Sequence, residues 1–283
     1  MNIILTGIAR SGTTLTCSIL NQLPQCVALH EPMNPGELVK EDFPVQYINK
    51  INNFFEKQRQ SLLRDGTAIS KARNGKVPDN PFGSSLSFNE LRSSIVKNEL
   101  VSFEKKLNSN FRLVIKHPNF FTATLKTLLI YYSCFAIVRN PLSVLLSWHT
   151  IQAPVNNGYL PFAEAFDSDL KTKLTEEKNR ITRQLIILRW YFSIYRELLP
   201  RHHVVTYEDI ISSGGRAIAV IDPDAAFLCQ SFESRNLNHL YDPSLVNYLA
   251  DLLIRDPSIY NGFYRVEEIE DLRQKFVMKK RGT

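Results

Sequence analysis

Gly7-Ile8-Ala9-Arg10-Ser11-Gly12-Thr13-Thr14 stands between the apolar run Ile3-Ile4-Leu5 and a segment in which Leu15, Ile19, Leu20 and Leu23 recur at helical spacing until Pro24 stops the pattern. The order is strand, loop, helix. In that context a glycine loop forms an anion cradle, because backbone N–H groups turn inward and the helix N-terminus adds partial positive charge. A nucleotide triphosphatase loop, Gly-x4-Gly-Lys-Ser/Thr, puts a lysine on the outer phosphates and a hydroxyl on magnesium. Here Thr13 occupies the lysine position, and the cation is Arg10 inside the loop, followed by hydroxyls at Ser11, Thr13 and Thr14. Arginine and hydroxyls together supply donors that hold a diphosphate-like group without a metal. An ordinary capped turn needs one hydroxyl, not an arginine and three.

Working outward, residues 26–29 read as a second strand ending at His30-Glu31-Pro32, after which Pro35 and Gly36 enforce an irregular loop. Residues 47–63 and 89–107 read as helices, and the polar stretch 65–85 between them as an exposed loop or flap. Residues 111–115 and 134–138 are continuous apolar runs of the kind buried parallel strands require, separated by a helix-length segment, 120–132. Helical character returns over 142–148 and 176–199, and 204–206 supplies another short strand. Strands alternating with helices predict an α/β fold of three layers, a central mainly parallel sheet flanked by helices. We read one domain over 1–283 with a helical and loop insertion at about 40–110.

The chain has 283 residues, 44% of them hydrophobic, enough for one large core. Its net charge of +6 is dispersed apart from Lys279-Lys280-Arg281. That pattern favours a small anionic molecule over nucleic acid, which demands a dense basic stripe. The four cysteines, Cys17, Cys26, Cys134 and Cys229, are widely spaced and form no CxxC, as expected in a reducing compartment. Strand-like sequence follows Met1 at once and no stretch reaches the roughly 18 apolar residues of a membrane span, so the expectation is a cytoplasmic protein without a transmembrane segment. His202-His203 have no partner at metal-ligand spacing, and no metal site is expected.

A second anion site is legible in Cys134-Phe135-Ala136-Ile137-Val138-Arg139-Asn140-Pro141, with Ser143 and Ser147 following. Pro141 suits the first turn of a helix, which leaves Arg139 at the carboxyl end of a strand, where open α/β sheets bind ligands. The loop Gly-x-x-Arg-Ser-Gly-Thr-Thr-Leu, with Arg139 and a helical serine eight residues later, resembles the sulfotransferases that use 3′-phosphoadenosine-5′-phosphosulfate (PAPS), a branch of the P-loop fold. The resemblance covers residues 1–31 and 111–150, and Tyr207-Glu208-Asp209 is similar to a segment common in that family, with a structural role. It implies that Arg10, Ser11, Gly12, Thr13 and Thr14 bind the 5′-phosphosulfate and that Arg139 and Ser147 bind the 3′-phosphate. The chain lacks a clear equivalent of the glycine- and lysine-containing C-terminal segment with which several family members wrap the 3′-phosphate; Lys279, Lys280, Arg281 and Gly282 are a faint candidate for it.

Sulfuryl transfer needs a base for the acceptor proton, an in-line approach and positive charge where the nucleotide leaves. Glu31-Pro32 at the second strand end resembles the carbohydrate and protein-tyrosine branch, whose base is a glutamate there. Lys116-His117-Pro118 resembles the region of the small-molecule branch whose base is a histidine, but lysine and histidine are adjacent here, which disturbs that register. Glu31 is therefore the favoured base and His117 the alternative, with Lys116 and Arg10 stabilising the leaving group. His30, next to Glu31, is expected to point away into packing or solvent. The Glu-Pro feature implies a carbohydrate or glycolipid hydroxyl as acceptor, in a pocket shaped by loops 32–44, 65–85 and 152–161. The rival readings are a phosphoryl-transferring kinase or triphosphatase, disfavoured by the absent lysine, and a nucleotide-binding module without turnover. Oligomeric state is not legible.

Overall fold

The computed structural model describes residues 1–38, 44–85 and 90–281. Five strands, β1 (Asn2–Gly7), β2 (Cys26–His30), β5 (Arg112–Lys116), β6 (Ser133–Val138) and β7 (Val204–Thr206), form one parallel sheet in the order β2-β5-β1-β6-β7. Two more, β3 (Thr67–Ala72) and β4 (Lys97–Ser102), pair antiparallel on their own. Successive side chains of a strand face opposite ways. Ile3, Leu5, Ala28, Val114 and Ile137 accordingly pack on one face with the helix Thr13–Leu20. Ile4, Val27, Leu29, Leu113, Ile115, Ala136 and Val138 pack on the other, under the helices Pro44–Asp65, Pro141–Trp148 and Arg180–Leu198. Burial on both faces is why these strands are apolar throughout, at ~1.5–3 kcal/mol for each large side chain removed from water. The result is the expected three-layer α/β arrangement.

From β1 the chain runs outward past β5 to β2, whereas from β5 it crosses β1 to reach β6. Connections that leave neighbouring strands in opposite directions open a crevice at the strands' carboxyl ends, the usual ligand position in open α/β sheets. Arg10, Glu31, Lys116 and Arg139 all stand at such ends.

Four expectations need correction. Residues 89–107 are not a helix: Asn89 lies outside the described residues, and 97–102 form β4, with Val101 and Phe103 buried. The preceding stretch, 65–85, read as an exposed loop, contains β3, whose Ala68, Ser70 and Ala72 point inward beside β2. These two strands bury one face only, so their sequence is half polar and lacks the signal that marks the central sheet. The segment 120–132 is two short helices, Pro118–Ala123 and Leu125–Leu128, because Thr122 and Thr124 turn their hydroxyls back onto the Pro118 and Phe120 carbonyls. Likewise 176–199 is broken: a helix ends at Glu176, and Asn179 caps the next, accepting from the N–H groups of Ile181 and Thr182. Among the described residues no helix is long and apolar enough to cross a membrane.

Candidate active site

A cleft of about 570 Å³ opens at the carboxyl ends of β1, β5 and β6, within the size range of small-molecule sites. Its floor is the glycine loop. Gly7 has φ +149°, and a Cβ there would lie 2.4 Å from the Ile137 carbonyl oxygen; Gly12 has φ +96°, and a Cβ would meet the Tyr207 ring at 2.8 Å. Only glycine fits either place. Gly12 is also the N-cap of the helix Thr13–Leu20, so no side chain caps it and the first N–H groups remain available to an anion. Thr13 and Thr14 line the cleft. Ser11 does not: its hydroxyl is buried and donates to the Ile137 carbonyl at 2.7 Å, which ties the loop to β6.

One end of the cleft is an arginine cluster. Arg10, held in the left-handed region at φ +72°, donates from Nε to Ser147 Oγ at 3.3 Å and from Nη1 to Asn80 Oδ1 at 3.1 Å, with its guanidinium over the Phe82 ring. Arg139 donates to Asn236 Oδ1 at 2.7 Å, to the Arg10 carbonyl at 3.2 Å and to the Tyr241 hydroxyl at 3.3 Å, and lies over the Tyr207 ring. Arg92 and Arg235 line the same space. Asp79 and Glu233 also border the cleft, yet among the described residues no carboxylate forms an ion pair with any of the four arginines. Burial, then Arg92 and Arg139, pull Arg10 down to about 9. Burial also opposes the Arg139 charge, but the Tyr241 and Tyr207 hydroxyls and Glu208 more than offset it and the net direction is upward. Glu208 itself anchors the surroundings, accepting from the Asn140 N–H, the Asn236 amide and the Tyr264 hydroxyl, while Thr206 caps the helix that follows β7.

The other end is compensated. The β2–β5 register sets His30 beside Lys116. Glu31 then leaves the strand at φ +42°, which breaks the alternation and brings both residues to the same ammonium group. Lys116 Nζ lies 2.8 Å from Glu31 Oε1, 3.2 Å from His30 Nδ1 and 3.5 Å from Thr14 Oγ1. Lys71 of β3 takes Glu31 Oε2 at 2.8 Å. Burial alone would raise the Glu31 carboxyl, but Lys116, His30, Lys71 and His117 hold it well below the usual carboxylate range. His30 is thus buried against the site rather than turned away from it, and burial and Lys116 keep its ring neutral, with its pKa far below 6.5. His117 is buried too, does not line the cleft, and accepts the Met33 N–H at Nε2 at 3.2 Å; burial pushes it down to about 3.

The cleft brings together Arg10, Gly12, Thr13, Thr14, Glu31, Lys116, Arg139 and Ser147 from the sequence-based set, and leaves Ser11 and His117 in supporting positions. Sequence reasoning missed Lys71, Asn80, Arg92, Arg235 and Tyr241, which arrive from segments with no motif. Of the loops expected to shape the acceptor pocket, 79–82 and 153–161 border the cleft, whereas Pro32–Leu38 border a separate one. The Lys279, Lys280 and Arg281 side chains and Gly282 lie outside the described residues. No group of three potential metal-ligating side chains occurs among the described residues.

No protein-family model and no curated protein matches the chain. Among solved structures it is similar to sulfotransferase STF9 from Mycobacterium avium, with TM-score 0.37 and 14% identity over 98% of this chain and 76% of that one. It is also similar to sulfotransferase STF1 from Mycobacterium tuberculosis H37Rv, with TM-score 0.34 and 13% identity over 97% of this chain and 76% of that one. These values describe a distant likeness, from which no residue role follows.

Proposed function

We propose that this protein is a PAPS-dependent sulfotransferase acting on a carbohydrate or glycolipid hydroxyl, working as one unit over 1–283. The observation that carries the reading is the contrast inside one cleft, with four arginines that form no carboxylate ion pair among the described residues at one end and a lysine-bound carboxylate at the other. Arg92 and Arg139 are buried, cations gathered in one cleft repel one another, and a ligand with several negative charges offsets that cost. The residues fit such a nucleotide: Arg139 and Ser147 would hold its 3′-phosphate, and Thr13, Thr14, the open helix N-terminus and Arg10 its 5′ end. When bound, PAPS supplies an activated sulfuryl group, whose sulfur bonds to the acceptor oxygen as the bond to the 5′-phosphate breaks.

Glu31 accepts the acceptor's hydroxyl proton. It is ionised at neutral pH, and its basicity rises when an arriving ligand takes the place of either lysine. Lys116, tethered by His30 and Thr14, places an ammonium group where negative charge develops on departure. The apolar lining of Phe82, Val155, Tyr159 and Phe162 offers faces against which the carbon side of a sugar ring can pack. His117 is the weaker candidate for the base, because its Nε2 is already engaged.

The test is incubation with PAPS and a panel of saccharides and glycolipids, with chelator present. The reading predicts adenosine 3′,5′-bisphosphate and sulfated acceptor in equal amounts without magnesium. Magnesium-dependent turnover of ATP, with PAPS left intact, would overturn it in favour of a kinase.

A further inference from the structure

Arg92 reaches the cleft from the middle of the chain, outside every segment that resembles a sulfotransferase. Its backbone is stitched to the residues after the helix Pro141–Trp148: the Arg92 N–H donates to the Thr150 carbonyl at 3.0 Å, and the Arg92 carbonyl accepts from the Gln152 N–H at 2.9 Å. The guanidinium repeats the attachment, donating from Nη2 to Thr150 Oγ1 at 2.7 Å and from Nε to the Thr150 carbonyl at 3.4 Å. Thr150 Oγ1 in turn donates to the Ser147 carbonyl at 2.9 Å. The Arg92 charge is therefore fixed at the carboxyl end of the helix that carries Ser143 and Ser147, where the helix dipole favours a cation. It is 8% exposed, it lines the cleft, and its Nη1 has no protein partner among the described residues.

The neighbours of Arg92 are other cations. Burial and Arg235 lower its pKa, against a raising influence from Tyr241, and after burial Arg92 is the largest cause of the lowering at Arg10. The Tyr241 hydroxyl accepts from Arg139 Nη2 and donates to the main-chain carbonyl of Arg235 at 3.2 Å, which fixes the Arg235 backbone beside Arg139. Like charges that line one cleft, as Arg10, Arg92 and Arg139 do, repel unless an anion sits among them. A phosphate monoester, with its charge of about −1.5 to −2 and three acceptor oxygens, matches that demand.

Resting on the sulfotransferase reading, we propose that Arg92, assisted by Arg235, holds the nucleotide's 3′-phosphate beside Arg139 and Ser147, a clamp drawn from within the chain. Arg92 is the rigid member, since two of its nitrogens are already fixed on Thr150. Arg235 is exposed and lines the same cleft.

The experiment is calorimetric titration of adenosine 3′,5′-bisphosphate and of 5′-AMP, which lacks the 3′-phosphate, into the wild-type protein, Arg92→Gln and Arg235→Gln, with thermal melting of each. A charge-assisted hydrogen bond to phosphate lost from a buried site weakens binding by ~10- to 100-fold, so Arg92→Gln should lose that much for the bisphosphate and under about threefold for 5′-AMP. Arg235→Gln should show the same selectivity at ~3- to 10-fold, as suits an exposed partner. Equal losses for both nucleotides, or no loss, would overturn the proposal while leaving the sulfotransferase reading intact. A wild-type protein that does not prefer the bisphosphate would overturn both. If melting shows Arg92→Gln unfolded, Arg92→Lys and the exposed Arg235→Gln decide by the same selectivity.

Discussion

The two ends of the cleft solve opposite electrostatic problems. Around Arg139, guanidinium groups gather with hydroxyls and amides as their partners and, among the described residues, no carboxylate paired to them. Around Glu31, a single carboxylate is held between two ammonium groups at 2.8 Å each. On the proposed reading, the first arrangement receives an anion, and the second, whose charges are already paired in the free protein, is a base held ionised until a ligand displaces a lysine.

The largest effect that can break this contrast is at Glu31. Glu31→Gln should cut sulfuryl transfer by ~10²- to 10⁴-fold, as the loss of a general base does, while leaving affinity for adenosine 3′,5′-bisphosphate within about threefold. A loss of affinity in parallel with rate would mean that the two ends are not separate functions. Lys71→Gln sharpens the contrast next. The carboxyl is depressed by its cations, so its activity and its stabilising ion pairs persist above the ordinary carboxylate range and fail only as pH falls through the lowered value. Removing Lys71 should shift the acid limb of kcat/KM upward, because one of the charges that depress the carboxyl is gone. An unmoved limb would show that Lys71 only braces β3 against the sheet.

His117 should give the smallest effect. Buried and neutral, it binds a proton more readily in the unfolded chain, so it costs stability progressively as pH falls from its ordinary 6.5 towards about 3. His117→Gln should leave turnover within about threefold and flatten the fall of stability across that window, read by urea unfolding at a series of pH values. A collapse of turnover with the fold intact would instead return the base assignment to His117.

The central sheet was legible because parallel strands buried on both faces are apolar without interruption, as in Ile3-Ile4-Leu5 and Phe135-Ala136-Ile137-Val138. β3 and β4 were not, because Thr-Ala-Ile-Ser-Lys-Ala and Lys-Asn-Glu-Leu-Val-Ser alternate small or polar residues over one buried face. Within the site, Arg10, Thr13, Thr14 and Arg139 were legible because each sits in a short local motif at a strand end. Ser11 looked equivalent to its neighbours, but which way a hydroxyl turns depends on the adjacent strand, here on the Ile137 carbonyl. His30 was expected to face away, and it faces the site because Glu31 adopts a positive φ that no residue type announces. Lys71, Arg92 and Arg235 carry no motif at all. Their place depends on tertiary contacts such as the attachment of Arg92 to Thr150, which links residues 58 apart in sequence.

The most direct test of the central claim, that the arginine end receives a nucleotide phosphorylated at both its 3′ and 5′ positions, is a magnesium-free calorimetric titration of adenosine 3′,5′-bisphosphate into the wild-type protein and Arg139→Ala. The account predicts micromolar binding by the wild type and a loss of ~10-fold or more in the variant, the cost of removing a buried charge-assisted partner. Binding that is absent, or that the loss of Arg139 leaves unchanged, would contradict it.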